Sequence, residues 1–181
     1  MKERPILFSA PMIRALLAGT KTQTRQVVKD WQHFQPHHDS WRCPYGTVGT
    51  KLWVRETFCD DWKDARGVQY RADGGLDGDM MDAGCRWRPA IHMPRWASRI
   101  TLEVTGVRVE RLQDISIEDC KAEGAWTDES IVEKCEKYFG VDAFSVNPRL
   151  AYRMLWESIN GAGSWDANPF VWVVEFRRIT P

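Results

Sequence analysis

The chain has 181 residues, 43% of them hydrophobic, and its 25 Lys and Arg balance 25 Asp and Glu to a formal net charge of zero. That balance excludes a protein that coats nucleic acid by charge alone, and no apolar run is long enough to span a bilayer. One domain over residues 1–181 is expected, in the cytoplasm, because Met1-Lys2-Glu3-Arg4-Pro5 lacks the apolar core of a signal peptide.

Arg4 to Phe8 predicts a short first strand leading into a helix over Ser9–Ala18. Ser9 serves as its N-cap, Pro11 sits in its first turn, and Ile13, Leu16 and Leu17 form its apolar face. Gly19 suits the left-handed residue that ends a helix. The stretch Thr20-Lys21-Thr22-Gln23-Thr24-Arg25 then gathers two cations, three hydroxyls and an amide just after a sharp turn. Such a cluster can hold an anion or present a nucleophile beside a base. Lys21 to Val28 has strand-like β-branched content, and residues 29–46 read as a polar loop. Thr50 to Glu56 reads as a strand, with Gly46 and Gly49 setting the turn before it.

Residues 60–95 break any period and predict a long irregular excursion from the core. Within and just after it, Arg86, Arg88, Arg95 and Arg99 surround Trp87 and Trp96, either as a local basic groove or as a salt-bridged loop. Ile100, Leu102 and Val104 alternate with polar residues until Gly106 shifts the phase to Val107 and Val109, which predicts a β-bulge. Ser116 caps a helix that ends at Gly124. Ile131 to Phe139 is amphipathic. Pro148 opens a helix through Tyr152, Leu155, Trp156 and Ile159 to Gly161. Phe170 to Ile179 is a final strand, with Val171, Val173 and Glu175 on one side and Trp172, Val174 and Phe176 on the other. Apolar residues on both sides imply a covered, central strand. The fold class is therefore α+β, a small, mostly antiparallel β-barrel with flanking helices.

Five cysteines, Cys43, Cys59, Cys85, Cys120 and Cys135, form no Cys-x-x-Cys pair, and their odd number favours reduced thiols. His37 and His38 near Cys43, and His92 near Cys85, match no zinc-ligand spacing, so neither metal nor cofactor is expected. Ten tryptophans are too many to ignore: most belong in a core, and a few suit a stacking pocket for a planar ligand.

Together, the Gly-x-Lys end of the first helix followed by Thr and Arg, Cys43-Pro44-Tyr45-Gly46, Leu52-Trp53-Val54-Arg55-Glu56 and Ala122-Glu123-Gly124 resemble the ASCH domain family. Met93-Pro94-Arg95-Trp96-Ala97-Ser98-Arg99-Ile100 and Trp165-Asp166-Ala167-Asn168-Pro169 resemble its phage and prophage branch. The resemblance implies a PUA-like β-barrel and, as partner, RNA or a modified nucleoside, with no membrane. Some small members hydrolyse N4-acetylcytidine, and their Lys, Thr and Glu fall on Lys21, Thr24 and Glu123. The family arginine two residues beyond that Thr is replaced here by Gln26, with Arg25 one residue earlier.

Three functions stay open: an amidohydrolase of N4-acylated cytidine, a non-catalytic reader of RNA or a modified base, and a ribonuclease. In the first, Lys21 is the base for Thr24, if burial or nearby positive charge lowers its pKa, and Glu123 protonates the leaving nitrogen. Thr22, Arg25, Trp53, Arg55, Arg95 and Trp96 are candidate ligand-binding residues. A straight strand points Lys21 and Thr24 to opposite sides, so a shared pocket for Lys21 Nζ, Thr24 Oγ1 and the Glu123 carboxylate requires a turn-like backbone after Gly19. The bland alternative is a Lys21–Glu123 ion pair that braces the fold.

Overall fold

The computed structural model describes residues 3–33, 42–60, 67–74, 86–124, 137 and 147–179. The first helix, α1 (Ala10–Leu17), follows strand β1 (Arg4–Leu7) and precedes β2 (Gln23–Val27). Next come β3 (Lys51–Arg55), the short β4 (Phe58–Cys59) and β5 (Gln69–Tyr70), and the long β6 (Thr101–Arg111). Helices α2 (Ile117–Ala122) and α3 (Pro148–Asn160) lead to β7 (Phe170–Ile179). The main sheet runs β1-β3-β6-β7-β2, antiparallel except for the β1–β3 pair. The α+β class and the mostly antiparallel sheet are as expected. The ladder is open, with β1 and β2 at its ends among the described residues.

Local chemistry explains the boundaries. Ser116 accepts a hydrogen bond from the Asp119 N–H and caps α2. Asn147 accepts from the N–H groups of Arg149 and Leu150 and caps α3, with Pro148 in the first turn, where no intrahelical N–H is needed. Strand β2 starts two residues later than the side-chain pattern predicts, because Thr20 and Lys21 are still tied to the end of α1: both N–H groups donate to the Ala15 carbonyl.

Strand β7 lies between β6 and β2 and is buried on both faces. Trp172, Val174 and Phe176 join one core with Ile6, Phe8, Ile13, Leu52, Val54 and Leu102. Val171 and Val173 join a second core with Leu112, Ile115, Tyr152, Leu155, Trp156 and Trp165. The sheet is thus sandwiched between α1 on one side and α2 and α3 on the other. The expected bulge is present: the β6–β7 register slips between Val104 and Gly106.

Of the stretch expected as an irregular excursion, the described residues 67–74 and 86–95 include strand β5 and 3₁₀ turns at Arg71–Asp73 and Ala90–His92. Strands β4 and β5 pair, and Phe58, Met93 and Ala97 form a small third core. Arg99 forks onto Glu56 and Asp73 and lies over the Tyr70 ring, pinning this unit to the end of β3. Composition misses this, because the stabilising contacts join residues far apart in sequence. Cys43 and Cys120 are free and buried, whereas Cys59 is disulfide-bonded, against the expected reduced state. Spacing alone cannot show which sulfurs meet in space. The predicted amphipathic stretch 131–139, apart from residue 137, and the residues His37, His38, Cys85 and Cys135 lie outside the described residues. No described helix is long and apolar enough to cross a membrane, and the described residues hold no metal-ligating cluster.

A Cβ at Gly106 would lie 2.4 Å from Glu175 Oε2 and 3.0 Å from its Cδ. Gly106→Ala should therefore displace the half-exposed Glu175 carboxylate from Arg108 and destabilise the fold by no more than about 1 kcal/mol in chemical denaturation. In a Glu175→Ala background most of that loss should vanish.

Candidate functional site

The site begins with two tight turns that meet. After α1, Gly19 adopts φ 76°, and the Thr20 N–H reaches back to the Ala15 carbonyl while the Gly19 N–H reaches Leu16. That is a Schellman ending, and it needs the left-handed residue that Gly supplies. After α2, Gly124 (φ 72°) closes the second turn. A Cβ there would lie 3.1 Å from Ala15 Cβ and 3.2 Å from Lys21 Cβ. The close approach lays Glu123 against Lys21, and the Thr22 N–H donates to the Ala122 carbonyl to lock the two segments.

From these turns grows a buried ion cluster. Lys21 Nζ donates to the Gln23 carbonyl (2.9 Å), the Glu123 carbonyl (2.9 Å) and Glu123 Oε2 (3.1 Å), which uses all three ammonium donors. The Arg25 side chain is 0% exposed. Its Nε and Nη2 donate to Glu110 Oε1, Nη2 also to Asp119 Oδ2 (2.7 Å), and Nη1 to Glu123 Oε1 (3.0 Å). Arg108 extends the chain, donating to Glu110, Asp119 and Glu175. Burial holds the Lys21 ammonium below its ordinary pKa; Glu123 opposes that and Arg25 adds to it. Burial pulls the Arg25 guanidinium down, but Glu123, Tyr152 and Glu110 raise it above its usual value. Burial, reinforced by Glu123, pushes the Tyr152 phenol well above 10.

A cavity of about 340 Å³ opens beside this cluster. Thr24, Arg25, Gln26 and Val27 of β2, with Glu123, form one wall; Tyr152, Leu155, Trp156 and Ile159 of α3 form another; Phe8 and Met12 help to close it. The register places Thr24 and Gln26 opposite Val174 and Trp172, and Arg25 opposite Val173, so the β2 residues on this wall belong to both faces of the sheet. A cavity at the open edge of the last strand accommodates that.

The structure brings Thr24, Arg25 and Glu123 together on this cavity, with Lys21 bonded to Glu123 directly behind it; Lys21 does not line the wall. Thr22 is exposed. Trp53 and Arg55 alternate with the core residues Leu52 and Val54, and the Arg55 guanidinium lies 5.2 Å from the Trp53 ring centre, so this pair faces away from the main core. Arg95 pairs with Glu3, and Trp96 is 68% exposed; neither lines the cavity. Arg88 and Arg99 are also ion-paired, as in the salt-bridged reading of that segment. A wider depression of about 860 Å³, lined by Arg4, Arg42, Thr47 and Val48 among others, contains none of the candidate site residues.

Sequence reasoning missed Glu110, Asp119, Tyr152 and Trp156 as members of this region. One signal was available: Arg108 and Glu110 alternate with Val107 and Val109 on a strand whose partner is apolar on both sides. Charges there must be paired under cover.

No family model matches the chain, and no curated protein matches it. Among solved structures, a crystal structure of a DUF984-family protein from Enterococcus faecalis V583 aligns over 99% of this chain and 82% of its own, at 11% identity and a TM-score of 0.40. A crystal structure of an ASCH domain from Lactobacillus crispatus aligns over 98% and 79%, at 12% identity and 0.40.

Glu123→Gln leaves Lys21 and Arg25 without the carboxylate they share, and should destabilise the fold by about 3–5 kcal/mol in urea denaturation. Asp119 is partly buried, which raises its pKa, but Arg25 and Arg108 outweigh that and hold it below the usual carboxylate range. Its contribution is then complete above the unfolded pKa and is lost as pH falls through the folded one. Asp119→Asn should flatten the acid limb of a stability–pH curve while leaving its neutral-to-basic part parallel to wild type.

Proposed function

We propose that this chain is an ASCH-type domain whose cavity between β2 and α3 binds a nucleoside-class ligand. The observation that carries this reading is the cavity's two-sided chemistry: Thr24, Arg25 and Gln26 of the edge strand line one side, and the aromatic residues Tyr152 and Trp156 of α3 line the other. A heteroaromatic base has faces that stack and edges that hydrogen-bond, and it suits such a slot. The cavity's volume lies at the small end for ligand sites, enough for one compact molecule. The resemblance of residues 19–25, 43–46, 52–56 and 122–124 to the ASCH family supports the same ligand class, whether the base is free or carried on RNA.

A second reading, hydrolysis of an N4-acylated cytidine, is favoured by one observation: Lys21 is buried, depressed in pKa and in contact with Glu123. In that reaction Thr24 Oγ1 attacks the acyl carbon and gives its proton to a neutral Lys21. The cytosine N4 leaves with that proton, relayed from Lys21 by Glu123, and water then releases the acid from Thr24. The ground state favours binding. Lys21 donates all three of its hydrogen bonds, and both Glu123 oxygens accept one, so neither group is free for proton transfer. Ribonuclease chemistry has less support, since His92 lies with Arg86, Trp87 and Arg88 on a separate surface depression.

Titration with cytidine and N4-acetylcytidine, followed calorimetrically, should saturate. Trp156→Ala should weaken binding at least tenfold, and Trp96→Ala should leave it unchanged. No heat from either nucleoside up to millimolar concentration contradicts the binding reading. Acetate release from N4-acetylcytidine that Lys21→Met abolishes while binding persists would establish the second reading instead.

A further inference from the structure

We propose that the ligand meets the main chain of Arg25 rather than its guanidinium, and that the cavity therefore selects an uncharged planar ligand carrying a hydrogen-bond donor beside an acceptor on one edge. The proposal rests on the cavity being the ligand site.

The ladder sets the direction of each peptide group. Strand β2 is the last in the sheet and, among the described residues, pairs with β7 alone. The Phe176 N–H donates to the Thr22 carbonyl and the Val28 N–H to the Phe170 carbonyl. Antiparallel pairs alternate between bonded and non-bonded positions. The N–H and C=O groups of Thr24 and Gln26 therefore point into the sheet, and those of Gln23, Arg25 and Val27 point out from its edge. Lys21 supplies an independent check: its Nζ donates to the outward Gln23 carbonyl at 2.9 Å. Arg25 as a whole is 4% exposed while its side chain is 0% exposed, so the part of it that reaches the cavity is main chain. An outward N–H and C=O at a mostly covered edge need partners, and a ligand edge with the matching pair completes them, as an added strand does.

Charge points the same way. Arg25 and Glu123 are the charged residues on the described wall, and the guanidinium already serves Glu110, Asp119 and Glu123. In the cluster, Glu110, Asp119, Glu123 and Glu175 outnumber Lys21, Arg25 and Arg108. The rim residues Leu7, Val27 and Ile159 are exposed and apolar. A phosphate has no cation to meet there, and Gln26, on the same wall, offers only a neutral carboxamide.

The test is a ¹⁵N-resolved NMR titration of the intact chain with cytidine, N4,N4-dimethylcytidine (which lacks the edge donor) and cytidine 5′-monophosphate. The Arg25 amide should shift saturably with cytidine, the dimethyl analogue should bind at least tenfold more weakly, and the monophosphate should gain no affinity. The inference is overturned, with the site reading intact, if the Trp156 indole responds to cytidine while the Arg25 amide does not. It is likewise overturned if the dimethyl analogue binds as well as cytidine, or if the monophosphate binds more tightly with an affinity that falls steeply with salt. No response to any of the three at any cavity residue overturns both.

Discussion

The arrangement around Arg25 depends on one constraint: a guanidinium wholly removed from water must have every donor matched by an acceptor. Its partners come from two other elements, Glu110 on β6 and Asp119 and Glu123 on and just after α2. The three segments are therefore tied to one point. Lys21 and Arg108 continue the cluster to the end of α1 and to β7. A buried cluster of this kind adds little stability over apolar packing of the same volume, yet losing one member strands the others. Its effect is positional: it dictates how the edge strand, the short helix and the Gly124 turn sit against each other.

That positioning has a chemical consequence. A cation drawn inward by three carboxylates is no longer an anion receptor, and an edge strand anchored from within leaves its outward peptide groups beside α3. The aromatic face of α3 approaches because Ala151, Tyr152, Leu155 and Trp156 pack onto the second core. The cavity is the space left where the last strand ends the sheet and a helix leans over it. Its polar and apolar walls follow from the two faces that meet there.

Much of the fold was legible locally. The two-sided apolar pattern of β7, the phase slip at Gly106, the Ser116 cap and the Gly124 stop each rest on a few neighbouring residues, and each is present. The site was legible only in part. Lys21 and Glu123 meet as their chemistry allows, but Arg25 finds partners 85, 94 and 98 positions away, and no spacing rule reaches that far. Parity along β3 separates Trp53 and Arg55 from Leu52 and Val54, but it does not say which face lies near a cavity. Tyr152 and Trp156 were readable as a buried helix face, and only the placement of α3 across the cavity from β2 makes them a wall.

The most direct test of the account is a crystal structure of the chain with cytidine bound. The base should lie between β2 and the Tyr152–Trp156 face, its edge against the Arg25 main chain, with the Arg25 guanidinium still on Glu110, Asp119 and Glu123. A guanidinium swung out onto the ligand, or a nucleoside seated instead in the depression lined by Arg4 and Arg42, would contradict it.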